Sequence, residues 1–260
     1  MPIDPVVTLD IGVDGIAIAS LNRPQQRNPI NHQTAAALQA AIAQAADADH
    51  VRVLILRGNG PSFCGGGDIA AMAAHLADLP QFLGELIDHF HAVILALRRL
   101  PLPVIASVQG VAAGGGFSLA MACDLVVATR SARFVVAYPK LATSSDGGLS
   151  QCLTRRLGAG RALELLLLDD VVGAEEAHRL GLVTRLAPDA HLEETSMTLA
   201  RQLAAVPGRS LREFKTLVAG VDLGELERQL AQEKAAFMRC AGTAELQERI
   251  RAFIGKQRPA

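Results

Sequence analysis

The stretch at residues 103–129, PVIASVQGVAAGGGFSLAMACDLVVAT, limits the folds open to this chain more than any other part of it. Residues 104–108 are an apolar, β-branched run of buried-strand length, Gly110 breaks it, and Gly114, Gly115 and Gly116 precede the apolar segment 117–123. The order implied is strand, turn, helix start, strand. A helix that begins at glycines leaves its first N–H groups uncrowded, so an oxygen carrying negative charge can lie directly against them. A glycine triplet also serves simple close packing, and one such turn alone does not decide between the two. A second run points to a site. Ser62-Phe63-Cys64-Gly65-Gly66-Gly67-Asp68 follows the strand-like residues 51–57 and leads into an apolar helical segment at 69–76.

The rest of the chain supplies the frame for these two turns. Residues 6–9 and 15–21 read as a hairpin, residues 34–46 as a helix and 51–57 as the next strand. Strand alternating with helix implies an α/β fold with parallel pairing and crossover helices. Residues 69–100 read as helix interrupted at Leu79-Pro80, with Phe82, Leu86, Phe90, Val93 and Leu97 on a core face. His89 and His91 stand two apart, on different faces of that helix, and so are poor partners for one metal. From residue 150 onward the pattern is mostly helical, with Pro207-Gly208 as a hinge-like break.

Half of the residues are hydrophobic, as in a globular enzyme, and the net charge of −1 gives no reason to expect nucleic acid or an anionic membrane as a partner. Cys64, Cys123, Cys152 and Cys240 are scattered without zinc-ligand or disulfide spacing. A reducing, cytoplasmic location is expected. The opening MPIDPVVTLD has no signal-peptide pattern, and no run of about 18 uncharged apolar residues occurs. GxGxxG and the Walker-type phosphate loop are absent from the relevant turns, so neither NAD nor ATP is expected as a cofactor.

Taken together, the two glycine runs resemble those of the crotonase family, the enoyl-CoA hydratase/isomerase superfamily. NRPQQRNPIN at 22–31, LPVIASVQGVAAGGGFSLAMACDLVVAT at 102–129, AEEAHRLGLVTRL at 174–186 and FMRCAGTAELQERIRAFIGKQRP at 237–259 are similar as well, in one order over essentially the whole chain. The resemblance implies a crotonase-like β-β-α superhelix core with a helical C-terminal region, divided at residues 1–195 and 196–260. It also implies a homotrimer or homohexamer, and coenzyme A thioesters as substrate with no further cofactor and no metal. The apolar segments 163–168 and 182–186 are the faces expected to need a neighbouring subunit.

The family holds a thioester carbonyl between two backbone N–H groups, which fall on Gly67 and Gly115 here. Donors so placed stabilise the negative charge that an enolate puts on that oxygen. Hydratases of the family use two glutamates. Ser118 stands at the first position, and ungapped matching puts Tyr138 at the second, or Lys140 with a shift of two. Neither choice supplies a carboxylate, whereas hydration needs one group for water and another for the α-carbon proton. Asp146, in SSDGG, matches the aspartate that double-bond-shifting members carry. One carboxylate can take a proton from one carbon and return it to another. Asp146 is alternatively an N-cap for a helix starting near Leu149. By the same resemblance Cys64, Gly65, Asp68, Ile69, Gly114, Ser118 and Tyr138 line the substrate site, and Arg27 and Lys256 lie near the coenzyme A moiety. Three functions stay open: an isomerase with a single Asp, a hydratase with an atypical acid/base set, and a non-catalytic scaffold.

Overall fold

The computed structural model describes residues 4–168 and 171–255. β1 (Val7–Ile11) and β2 (Ile16–Leu21) form the expected antiparallel hairpin, and α1 (His32–Asp47) and β3 (Val53–Gly58) follow. The long helical stretch is split as its proline implies: α2 (Ile69–Ala74) ends before α3 (Leu79–Arg99), whose first turn contains Pro80. Next come β4 (Val104–Val108), β5 (Val111–Ala113), α4 (Gly115–Ala122), β6 (Leu125–Thr129) and β7 (Arg133–Val135). The chain continues through α5 (Leu149–Leu157), α6 (Ala159–Leu167), β8 (Val171–Gly173), α7 (Ala174–Arg179) and β9 (Arg185–Ala187). It closes with α8 (Leu192–Ala204), α9 (Gly208–Gly220), α10 (Leu223–Ala241) and α11 (Ala244–Gly255).

The main sheet has six strands in the order β1-β2-β3-β4-β6-β9, parallel except for the first pair. Parallel strands are covered on both faces, and alternate side chains accordingly enter two cores. Ala17, Ala19, Leu54, Leu56, Ala106 and Val126 face the larger core beneath α1 and α3, while Ile16, Val53, Ile55, Ile105 and Val127 face α8 through Leu199 and Ala200. Residue 195, the expected domain boundary, falls inside α8. Beyond α8, α9 and α10 pack on α3, and α11 packs on α2.

A second sheet, β5-β7-β8, was not legible in the sequence because each of its strands has three residues. It explains the position of the glycine turns. After leaving the main sheet at β3, β4 and β6 the chain touches this small sheet at Cys64, Ala112 and Phe134, which pair in succession, and then enters α2, α4 and, after a loop, α5. These are successive strand-strand-helix turns, so equivalent positions in adjacent turns become neighbours. One expected subunit face is corrected here. Leu182 and Val183 are 1% and 2% exposed within their own chain, whereas Leu163, Leu167 and Leu168 on and just after α6 are exposed, as are Phe214, Leu217, Val218 and Val221 along and just past α9.

Candidate active site

The two glycine turns interlock. Gly66 adopts φ +91, and a Cβ there would lie 2.5 Å from the Ala113 carbonyl oxygen and 3.5 Å from Gly115 N; a Cβ on Gly116 would lie 2.3 Å from the Cys64 oxygen. No residue but glycine fits either place. Gly67 and Gly115 both keep some solvent exposure, and among the described residues neither main-chain N–H donates to a main-chain carbonyl. Two uncommitted amides thus stand on adjacent turns, the second at the N-terminus of α4. Apolar groups gather round them: Met72 beside Gly67, Ile30 and Phe90 beside Gly115, and Tyr138 beside Gly114.

The first turn is held by the segment at residues 22–31. Gly65 N donates to Arg27 O, Ile30 N to Gly66 O and Asp68 N to Ile30 O, while buried Asn28 donates to the carbonyls of Asn59 and Ser62. The expected lining residues divide on this basis. Asp68 has its carboxylate committed to Arg23 at 2.8 Å, to Asn31 at 3.0 Å and to Ala71 N as the cap of α2. Cys64 is fully buried, and burial pushes its thiol up to about 12. Gly65 and the Arg27 side chain are exposed, and Ile69 is half-buried as the first residue of α2. Lys256 lies outside the described residues.

Asp146 is buried in the loop before α5 and is gripped at both ends. Its main-chain carbonyl accepts from Ser118 Oγ at 2.6 Å and from Tyr138 OH at 3.1 Å, and its carboxylate Oδ1 lies 2.5 Å from His91 Nε2. Burial first, then the Asp146 charge, holds the Tyr138 phenol well above its ordinary range, so that it stays a hydrogen-bond donor at neutral pH. The Phe90 ring joins this loop to the glycines: it lies against both Gly115 and Gly147. Phe117, by contrast, is fully buried against Phe134, with ring centroids 5.2 Å apart, and forms part of the core.

The N-cap expectation for Asp146 is corrected. α5 starts from Gly148 with no capping side chain of its own, because Glu233 on α10 does that work from across the fold. Glu233 accepts from Gly148 N at 2.6 Å, Ser150 N at 3.1 Å and Ser150 Oγ at 2.5 Å. An acidic group suits a helix N-terminus. Desolvation nevertheless dominates and raises the Glu233 carboxyl above its ordinary range, with the Asp146 charge adding to the shift. One atom each of His91, Asp146 and Glu233 fall within 4.8 Å of one another. A cleft of about 280 Å³ borders this cluster at Ser144, Ser145, Ser150 and Glu233; another, of about 390 Å³, opens beside α8 on the other face of the sheet and touches neither glycine turn.

His91 and Glu233 were missed in the sequence, although a signal existed. Leu83, Ile87, His91 and Ile94 share one buried stripe of α3, and Leu226, Leu230, Glu233 and Phe237 share one of α10. A polar residue at an apolar-stripe position is the mark to look for. His89 turns elsewhere, its ring edge-on to His32 at 5.4 Å.

Comparison with known proteins settles the relationship. The family model for enoyl-CoA hydratase/isomerase matches residues 12–260. The chain belongs to that family. It is 36% identical over 247 residues to a 1,2-epoxyphenylacetyl-CoA isomerase of Escherichia coli K12, covering 94% of each chain. A probable enoyl-CoA hydratase of Rhodobacter capsulatus is 33% identical over 95% of this chain and 94% of its own. Among solved structures, an enoyl-CoA hydratase from Bacillus halodurans superposes with a TM-score of 0.88 at 26% identity, over 95% of this chain and 99% of that one. A monofunctional enoyl-CoA isomerase from M. smegmatis gives 0.71 at 36% identity, over 84% and 94%. The fold is thus the crotonase fold, and the protein is an enzyme of the crotonase superfamily. The relatives include proteins named as isomerases and as hydratases.

Proposed function

We propose that this enzyme binds an acyl-CoA, holds its thioester oxygen between the Gly67 and Gly115 amides, and shifts a carbon–carbon double bond with Asp146 as the single base. Asp146 removes a proton from the acyl chain, the electron pair moves onto the thioester oxygen as an enolate, and the same carboxyl returns the proton to another carbon. Coenzyme A enters as part of the substrate, and no other cofactor is invoked. The observation that carries this reading is how Ser118 and Tyr138 are used. The family resemblance sets Ser118 at the first hydratase glutamate and, matched without gaps, Tyr138 at the second, or Lys140 with a shift of two; Ser118 and Tyr138 both donate to the Asp146 carbonyl. The positions that would supply hydration chemistry instead hold one aspartate in place. Exposed Arg27 is suited to the phosphates of coenzyme A.

The test is Asp146→Asn, which keeps the size of the side chain. With trans-3-hexenoyl-CoA as probe, we expect acyl-carbon deuterium exchange followed by NMR to fall by roughly 10² or more, with acyl-CoA affinity by calorimetry near that of the wild type. Unchanged exchange would refute the base assignment.

A second reading, a hydratase with an atypical acid/base set, draws support from Glu233, a second carboxyl beside Asp146. Crotonyl-CoA hydration that is lost in both Asp146→Asn and Glu233→Gln would favour it. The exposed apolar faces of α6 and α9 support a homotrimer or homohexamer, to be checked by light scattering.

A further inference from the structure

Asp146 has a partner that the double-bond-shift reading does not use. His91 comes from the buried stripe of α3, one residue after the Phe90 ring that touches Gly115 and Gly147, and its side chain is 11% exposed. Its Nε2 meets Asp146 Oδ1 at 2.5 Å, while among the described residues no donor reaches Asp146 Oδ2. Ser118 and Tyr138 fix the aspartate's main chain but leave its side-chain torsions free. Among the described residues only His91 fixes the plane of the carboxylate. An imidazole at this distance from an ionised carboxylate must carry its proton on Nε2.

We infer that His91 is the positioning residue for Asp146, holding Oδ1 so that Oδ2 alone faces the acyl chain. This rests on the proposed enolate reading and deepens it. During turnover the substrate proton moves to Oδ2, the C–H electron pair goes into the enolate, and the same proton leaves Oδ2 for the second carbon. The His91 N–H···Oδ1 bond persists throughout, so His91 neither gains nor loses a proton. This also explains why a buried stripe position of α3 carries an imidazole where leucine or isoleucine would pack at no desolvation cost. The other titratable groups that face the pair are Glu233 on α10 and Tyr138 below the Asp146 carbonyl; the Asp88–Lys234 ion pair joins α3 to α10 nearer the solvent.

The experiment compares Asp146→Asn, His91→Gln and His91→Phe in the full chain, with trans-3-hexenoyl-CoA as the probe. Gln can present an amide N–H to Oδ1, whereas Phe fills the space with no donor. We expect His91→Phe to lose roughly 10²-fold in kcat with KM within about threefold, as a misplaced reacting group does, and His91→Gln to recover most of that loss. The kcat–pH profile of His91→Gln should keep the wild-type acid limb, because a positioning residue passes no proton to or from the substrate. Wild-type kcat in His91→Phe, or an acid limb displaced in His91→Gln, would overturn the positioning role. Should His91→Phe not fold, a His91→Gln variant with kcat as low as Asp146→Asn would overturn it too. Exchange retained in Asp146→Asn would instead overturn the enolate reading beneath it, so the two failures are distinguishable.

Discussion

Two helices of the C-terminal region each drive one charged residue into the protein, and the two burials end differently. Lys215 sits at the centre of the buried stripe Leu211, Lys215, Ala219 on α9, as Glu233 does on α10. The Lys215 ammonium has three protons and finds three acceptors: Asp124 Oδ2 at 2.6 Å, Leu102 O at 2.9 Å and Leu97 O at 3.1 Å. Asp124 in turn accepts from Val104 N at 2.7 Å. One cation meets one anion, and every proton is placed. Around Glu233 there are two carboxylates and one imidazole, and among the described residues Asp146 keeps an oxygen without a protein donor. The same pattern in the sequence thus marks a strut in one helix and a candidate catalytic centre in the other. Satisfaction of hydrogen bonds, rather than burial, separates the two.

That contrast is sharpest when each cluster is cut. Lys215→Met keeps the length of the side chain but leaves Asp124 and two carbonyls without their donor. Breaking a buried pair from one side costs about 3 kcal/mol, partly relieved here because the Asp124 side chain is 23% exposed. Urea unfolding should show this loss, and deuterium exchange per folded molecule should stay at the wild-type value. A fall in exchange of the same order as that of Asp146→Asn would break the distinction between strut and site.

Glu233→Gln is expected to have a smaller effect, with a sign set by pH. The folded protein raises the Glu233 carboxyl above its ordinary value of 4.5, chiefly by burial. Between 4.5 and the folded value, the native state therefore holds a proton that the unfolded chain has released. Stability falls as pH rises through that window. Gln keeps one acceptor oxygen, which can serve Gly148 N or Ser150 but not both, and it does not titrate, so this slope should vanish in the variant. Thermal melts from acid to neutral pH would show wild type losing stability relative to Glu233→Gln as pH rises. Parallel curves would mean that the capping bonds to Gly148 and Ser150 outweigh burial.

Much of the frame was legible because local rules and tertiary packing agree in it. The hairpin, the long helices and the parallel strands of the main sheet follow from periodicity, and Pro80 and Pro207 mark real helix starts. The resemblance on the two glycine runs pointed to Gly67 and Gly115, and the one on SSDGG to Asp146; the strand-strand-helix repeat brings Gly67 and Gly115 onto adjacent turns. The second sheet was invisible because three-residue strands carry no period. Glu233 as the cap of α5 was invisible for a different reason: residues 85 positions apart in sequence meet there, and nothing local to residues 146–150 announces the partner. The face at Leu182 and Val183 was misjudged because an apolar run does not say which of its sides its own chain will cover.

Ser118→Ala should produce the smallest effect, and its smallness is informative. The family resemblance sets Ser118 at the position of a hydratase acid/base glutamate, so a chemical role for its hydroxyl would make its removal as damaging as that of Asp146. The geometry gives it another task. Its Oγ donates to the Asp146 carbonyl, with the Gly114 carbonyl as a longer alternative at 3.3 Å, and Tyr138 OH donates to the same Asp146 oxygen. When Ser118 is truncated, that carbonyl keeps its tyrosine donor, so no buried acceptor is orphaned. Truncation removes the bond to the Asp146 carbonyl and the 2.9 Å contact with Tyr138 OH, a loss of about 1 to 2 kcal/mol of stability by urea unfolding. Because Asp146 remains held by His91 and Tyr138, deuterium exchange should fall by less than about tenfold, well short of the loss of a general base. A Ser118→Ala protein as inactive as Asp146→Asn would move Ser118 from the scaffold of the site into its chemistry.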